Sequence, residues 1–186
     1  MAVGNVFPNG DGVCLWRSTE GVGNHWQGVD EDPIFPLVGD YSYATEANGD
    51  DNDTEYFHMT TVAIGGDSVS QVVVWTYGMA MGAAPEVRIW NGVGWEAYQD
   101  TGLIIADDWV SNTFAVDMSN AELAVLAVQY KADVPLKLGE NMVYCLYAVI
   151  TYGPVGYGHN FMGVPAANIG SVNGVPTANI ASIKGV

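Results

Sequence analysis

The sequence predicts an all-β fold: an antiparallel two-sheet sandwich, jelly-roll-like, followed by a C-terminal repeat tail. Three observations carry this reading. Short runs rich in Val, Ile, Thr, Tyr and Trp recur along the 186 residues, many alternating with period two. Gly, present 23 times, punctuates them at turn positions. Lys, Arg, Glu and Gln, which favour helices, are scarce, and no helical segments alternate with the strands, so a parallel α/β fold is excluded. A chain of this length buries roughly 70% of its unfolded surface, enough to fold without a metal or a disulfide.

The elements follow in order. Residues 1–12 are expected as a flexible arm, because Asn9-Gly10 and Asp11-Gly12 are turn signals. The sandwich is expected over residues 13–153. Val13 to Arg17 reads as its first strand. The stretch from Ser18 to Asn52 is irregular, with Trp26, Pro33, Pro36 and many acidic residues, and holds a short strand at Tyr41 to Thr45. Strands are then predicted at Glu55 to Ala63 and, after the turn Gly65-Gly66-Asp67, at Val69 to Tyr77. Glu86 to Trp90 and Gly94 to Tyr98 flank Asn91-Gly92, a two-residue hairpin signal. Thr113 to Met118 is the next strand. Ser119 and Asn120 predict a turn of helix over Asn120 to Glu122 that gives way to a strand through Tyr130. Met142 to Tyr152 is apolar at both odd and even positions, which predicts a central strand covered on both sides.

After Gly153-Pro154 the composition changes and repeats. Gly163 to Val172 aligns with Gly174 to Ile183, eleven residues on, so residues 154–186 form a tail of about two units. Each unit has too few aliphatic side chains to bury them alone, and two units are too few for a repeat array. The tail therefore hangs loose or docks on another surface. The expected anchors are Val164, Ile169, Val172, Val175, Ile180 and Ile183, with Pro165 and Pro176 shaping the turns between them.

Charge narrows the function. The formal net charge is −16, with five Lys plus Arg. Such a chain is repelled by a phosphate backbone and by an anionic membrane surface, so neither nucleic acid nor membrane is expected as a partner. The first twelve residues lack the basic start and apolar core of a signal peptide, and no run approaches the length of a membrane span. Cys14 and Cys145 allow one disulfide at most. Synthesis in a reducing cytoplasm favours thiols, while a bridge between terminal strands stays open.

Catalysis finds little support. There is no Gly-x-Ser-x-Gly elbow, no zinc-ligand spacing, and no Cys beside a His. His25, His58 and His159 are scattered. Glu55, Glu86 and Glu96 lie on predicted strands, where paired carboxylates could serve glycoside hydrolysis or simply face water. Asp51, Asp53 and Glu55 alternate through an acidic loop, either as oxygen ligands for a structural calcium or as a solvated surface; the glycine and glutamate of an EF-hand loop are missing. Six Trp could form a sugar-stacking platform, fill the core, or line a subunit interface. The expectation is a protein that binds or builds, without enzymatic activity.

The layout of Trp26 to Pro33, Asp40 to Ala44, Val72-Val73-Val74-Trp75, Val87 to Gly92, Asp107-Asp108-Trp109 and Leu123 to Val128 resembles the β-sandwich domains of tailed-bacteriophage virion proteins. The phrase Ile169-Gly170-Ser171-Val172-Asn173-Gly174-Val175 is similar to repeats at the ends of phage structural proteins. The resemblance implies a virion component made in the host cytoplasm: a capsid decoration or cement protein, or a fibre or tail accessory. It implies partners among the major capsid or other virion proteins and a homo-oligomer, with a trimer favoured. A glycan-binding module for host recognition is the alternative.

Overall fold

In the computed structural model the described residues are 1–18, 25–29, 41–45, 52–134, 139–154, 171–172 and 175–176. Their strands are β1 (Ala2–Val6), β2 (Pro8–Cys14), β3 (Arg17–Ser18), β4 (Ser42–Thr45), β5 (Thr54–Met59), β6 (Asp67–Met81), β7 (Glu86–Trp90), β8 (Gln99–Asp100) and β9 (Asp108–Met118), then β10 (Ala127–Lys131), β11 (Glu140–Pro154), β12 (Ser171–Val172) and β13 (Val175–Pro176). A 3₁₀ turn, His25–Gly28, and one short helix, α1 (Asn120–Leu123), complete the set.

Four antiparallel pairings nest inside one another: β4 with β11, β5 with β10, β6 with β9, and β7 with β8. This long hairpin rolls up, so that β11 also pairs with β6 and β10 with β7. The result is two facing sheets, ordered β4-β11-β6-β9 and β5-β10-β7-β8, which is jelly-roll topology. β3 extends the first sheet beside β4, and β2 extends the second beside β5. The core between the sheets follows from alternation. Val72 and Val74 on β6, Phe57 on β5, Ile89 on β7, Phe114 on β9 and Leu146 on β11 all point inward and are buried.

Residues 2–14 are not a loose arm. β1 pairs with β11 from Ala2↔Tyr152 to Val6↔Ala148, and β2 pairs with β5. Phe7 crosses between the sheets, its N–H donating to Thr60 Oγ1 and its carbonyl accepting from Thr60 N–H. The Asn-Gly and Asp-Gly pairs, read as turns, sit at register shifts in β2. Glycine there admits close approach: a Cβ on Gly12 would overlap the Tyr56 ring.

The strand expected from Val13 to Arg17 is broken. β2 ends at Cys14, and β3 joins the opposite sheet. Between them Trp16 turns into the core, and its Nε1–H donates to the Asp53 carbonyl at 2.9 Å. The turn after β7 also differs from the two-residue expectation. It spans Asn91 to Gly94, closed by Asn91 N–H to the Gly94 carbonyl, with Asn91 Oδ1 accepting from Val93 and Gly94. The asparagine side chain thus does what a second backbone bond would do in a tighter turn. The return is a bridge at Trp95 followed by β8, not a strand from Gly94 to Tyr98.

The helix-then-strand reading of residues 120–130 holds. Ser119 Oγ accepts from Glu122 N–H, and the Glu122 carboxylate accepts from Ser119 N–H, a complete capping box. Replacing Ser119 with alanine should lower the melting temperature by about 2–4 °C, measured by circular dichroism.

β11 is central, as expected, and its partners on one side change along its length: β4 at residues 140–143, Val29 at Leu146, and β1 at residues 148–152. The edges of β8 and β9 are joined by side chains. Gln99 Nε2 donates to the Thr113 carbonyl at 3.0 Å, and Asn112 Nδ2 to the Asp100 carbonyl at 2.9 Å. This covers two strand edges that would otherwise invite foreign strands. In the tail, β12 pairs with β13 at Ser171↔Pro176 and Val172↔Val175. Among the described residues no helix is long and apolar enough to cross a membrane.

Candidate binding faces

The expected metal loop is resolved differently. Glu55 is the second residue of β5, and alternation points it into the sandwich with Phe57 and Met59, fully buried. Its Oε2 accepts from Trp16 N–H at 3.2 Å, and its Oε1 lies 2.7 Å from His25 Nδ1. The 3₁₀ turn that carries His25 is held by Asp11, whose carboxylate accepts from the backbone N–H groups of His25 and Trp26 at 2.9 and 2.7 Å. Burial alone would lower the His25 pKa. The hydrogen bond and charge of Glu55, with the charge of Asp11, outweigh it, and the net shift is upward. The Glu55 carboxylate is therefore part of an internal ion pair, not an outward ligand beside Asp53. Asp51 lies outside the described residues. Among the described residues no three His, Cys, Asp or Glu gather to hold a metal ion.

The candidate carboxylates for hydrolysis are also separated. Glu55 points into the core, while Glu86 alternates to the outer face of the same sheet. There Glu86 pairs with Lys131 Nζ at 2.5 Å. Glu96 lies in the segment between β7 and β8 and accepts from Asn91 Nδ2 at 2.7 Å.

That outer face of the five-stranded sheet is a mixed aromatic and polar surface. Period-two alternation sends Tyr56 and His58 outward from β5, Arg88 and Trp90 from β7, and Gln129 and Lys131 from β10. Register aligns Tyr56, Gln129 and Arg88 in one row. The Arg88 guanidinium lies 4.6 Å from the Trp95 ring centre and 4.2 Å from that of Tyr98. Gln129 Oε1 accepts from Arg88 Nε at 2.7 Å and from the Tyr98 hydroxyl at 3.1 Å. Trp90, Trp95 and Tyr56 continue the aromatic surface, edge to face. Sequence reading missed Arg88, Gln129 and Tyr98; the available signal was the alternation of Glu86, Arg88 and Trp90 on β7.

The outer face of the six-stranded sheet is aromatic without the cations. Trp75 and Tyr147 are cross-strand neighbours whose rings are nearly parallel, 6.2 Å apart. Phe7, Trp109, Tyr77 and Tyr144 continue the string at 5.2 to 6.3 Å. Burial and the neighbouring Asp107 carboxylate push the Tyr144 hydroxyl well above its ordinary pKa. β11 is apolar at both parities for this reason: one face meets the core, and the other carries rings, Tyr147 half-buried and Tyr144 buried. Cys145 lies beneath them as a buried thiol.

The six Trp thus divide by pairs: Trp16 and Trp26 pack on the core, Trp75 and Trp109 on one outer face, Trp90 and Trp95 on the other. Of the expected anchors, Val172, Val175 and Pro176 lie in the β12–β13 pair, while Val164, Pro165, Ile169, Ile180 and Ile183 lie outside the described residues. An open cleft of about 690 Å³ beside α1 is lined by Asp67, Asp117, Glu122 and hydroxyl groups. No protein-family model matches the chain, and no curated protein matches it.

Proposed function

We propose that this chain is a non-enzymatic structural protein of a tailed-phage virion, displayed as an acidic jelly roll and anchored through its C-terminal repeats. The division of charge along the chain supports this. All 21 Asp and Glu precede residue 155, and residues 155–186 carry no acid and one lysine. The jelly roll keeps itself solvated by its carboxylates. The tail has little charge to desolvate when its Val and Ile side chains are buried against a shell, and its backbone can gain hydrogen bonds by strand addition. The test is co-sedimentation with purified virions. The full chain is expected to pellet with them, and a full chain carrying Val172→Asp and Val175→Asp to stay in the supernatant. Equal pelleting by both would move the anchor elsewhere, and pelleting by neither would remove the virion reading.

A second reading is favoured by the Arg88 cluster. Aromatic rings beside planar polar groups, held in place by a hydrogen-bonded network, suit a sugar with its apolar C–H face on a ring and its hydroxyls on Gln129 and Arg88. A glycan array is the measurement. Binding that vanishes on Trp95→Ala while the far-UV spectrum is retained supports it, and an empty array discards it.

A further inference from the structure

We infer that the outer face of the six-stranded sheet is a surface on which two copies of this chain pair, face to face about a two-fold axis. The first argument is charge. On β6 from Gln71 to Met79, on β9 from Trp109 to Ala115, and on β11 from Cys145 to Thr151, the outward positions carry no carboxylate, amine, guanidinium or imidazole. The chain as a whole is at −16. Two such molecules repel wherever carboxylates face each other, and a cationic partner is drawn to those same carboxylates. A second copy can approach closely only over an uncharged surface. A two-fold interface also brings a patch against itself, so it must be compatible with its own chemistry, and a neutral face meets that condition.

The second argument is composition. The centre of the face holds Trp75, Trp109, Tyr77 and Tyr147, while carboxylates stand at its ends: Asp107 and Asp108 at one, Asp67 and Asp117 at the other. An aromatic centre depleted in charge, with a charged rim, is the anatomy of a protein–protein interface. The solvent face of an antiparallel sheet ordinarily alternates to polar side chains, and β6 instead places Val73, Trp75 and Tyr77 there. The size sets the strength. Four strands, β1, β11, β6 and β9, at a spacing of about 4.8 Å and about seven residues at about 3.4 Å give roughly 20 by 24 Å. That is toward the small end of specific interfaces, which suits a dimer that dissociates in the micromolar range. The pairing does not rest on the virion reading.

The experiment is sedimentation velocity of the full chain across the micromolar range. The chain is expected to pass from monomer to dimer, and added salt to tighten the dimer by screening the acidic surfaces. Ser111 is exposed and sits opposite Trp75 on β9. Ser111→Asp puts carboxylates into the centre of the face on both copies and should weaken the dimer by about a hundredfold or more. Val93→Asp, at an exposed turn on the other sheet, should leave it unchanged. Both variants keep the far-UV spectrum and melting temperature of the parent. A monomer at every concentration overturns the inference, as does a dimer indifferent to both Ser111→Asp and Thr113→Asp. A trimer overturns the two-fold pairing.

Discussion

Replacing His25 with alanine is expected to destabilise the fold by about 3–5 kcal/mol, because it removes the imidazole that faces a fully buried carboxylate. For a chain of this size that is a fall in melting temperature of roughly 6 to 20 °C. Glu55 has no accessible surface, and its Oε1 faces His25 Nδ1 at 2.7 Å. After truncation the carboxylate must take up a proton or draw water into the sandwich. The Trp16 N–H that donates to its Oε2 is a neutral donor and does not replace a positive charge. The loss should spread, since Trp16, the 3₁₀ turn and β5 meet at this one point. His25→Gln keeps a donor and should cost less.

The same pair predicts a pH dependence. The folded-state pKa of His25 is raised, so the charged form is preferred in the folded protein. Its stabilisation is fully present below the unfolded value of about 6.5 and is lost as the pH rises through the raised folded value. Melting temperatures measured from mildly acidic to alkaline pH should therefore fall more steeply for the parent chain than for His25→Gln. Parallel curves would mean that the pair carries no charge in the folded state.

Gly78→Ala is the second large effect, expected at about 3 kcal/mol or a fall of roughly 6 to 12 °C. Gly78 lies within β6, where β11 shifts register between Val143 and Cys145. A Cβ at Gly78 would sit 2.2 Å from the Met142 carbonyl oxygen and 3.3 Å from Val143 Cα. Those are backbone atoms, so relief requires β11 itself to move and ladder hydrogen bonds to lengthen. The register shift also decides which way Tyr144 points, so the near-UV spectrum should change with the melting temperature. Gly66 is the control. It lies in a turn with nothing within 4 Å of its Cβ position, and Gly66→Ala should change stability by less than about 0.5 kcal/mol. Similar melting temperatures for the two variants would show that β6 and β11 tolerate separation at that point.

Much of the fold was legible in the sequence because period two and turn chemistry are local. β7 is found at the expected residues, and β6, β9 and β11 run longer than expected because ladder pairing with a neighbouring strand continues beyond the expected runs. The cap at Ser119 and the shift from helix to strand before Tyr130 needed only a four-residue pattern. The N-terminal strands were missed because Gly10 and Gly12 have the same signature in a turn as in a bulged strand. Only a partner strand distinguishes the two, and β5 lies more than forty residues away. Glu55 was read as outward-facing, a calcium ligand or a solvated carboxylate, for a related reason. Its neighbours in sequence are acidic, but the neighbour that determines its role is His25, thirty residues earlier, brought back by the 3₁₀ turn.

What the sequence determined by itself is the all-β class, most strand positions, the net charge of −16 and the acid-free repeating tail. These depend on composition and short-range alternation. The tertiary structure decided the nesting of the strand pairs, the burial of Glu55 against His25, and the sorting of the six Trp between the core and two opposite faces. Alternation tells that two sets of side chains point in opposite directions. It does not tell which set meets the other sheet, because β6 and β11 are apolar on both. That choice is made when the hairpin rolls up: one face gains the opposing sheet, and the other is left with its aromatic rings turned outward.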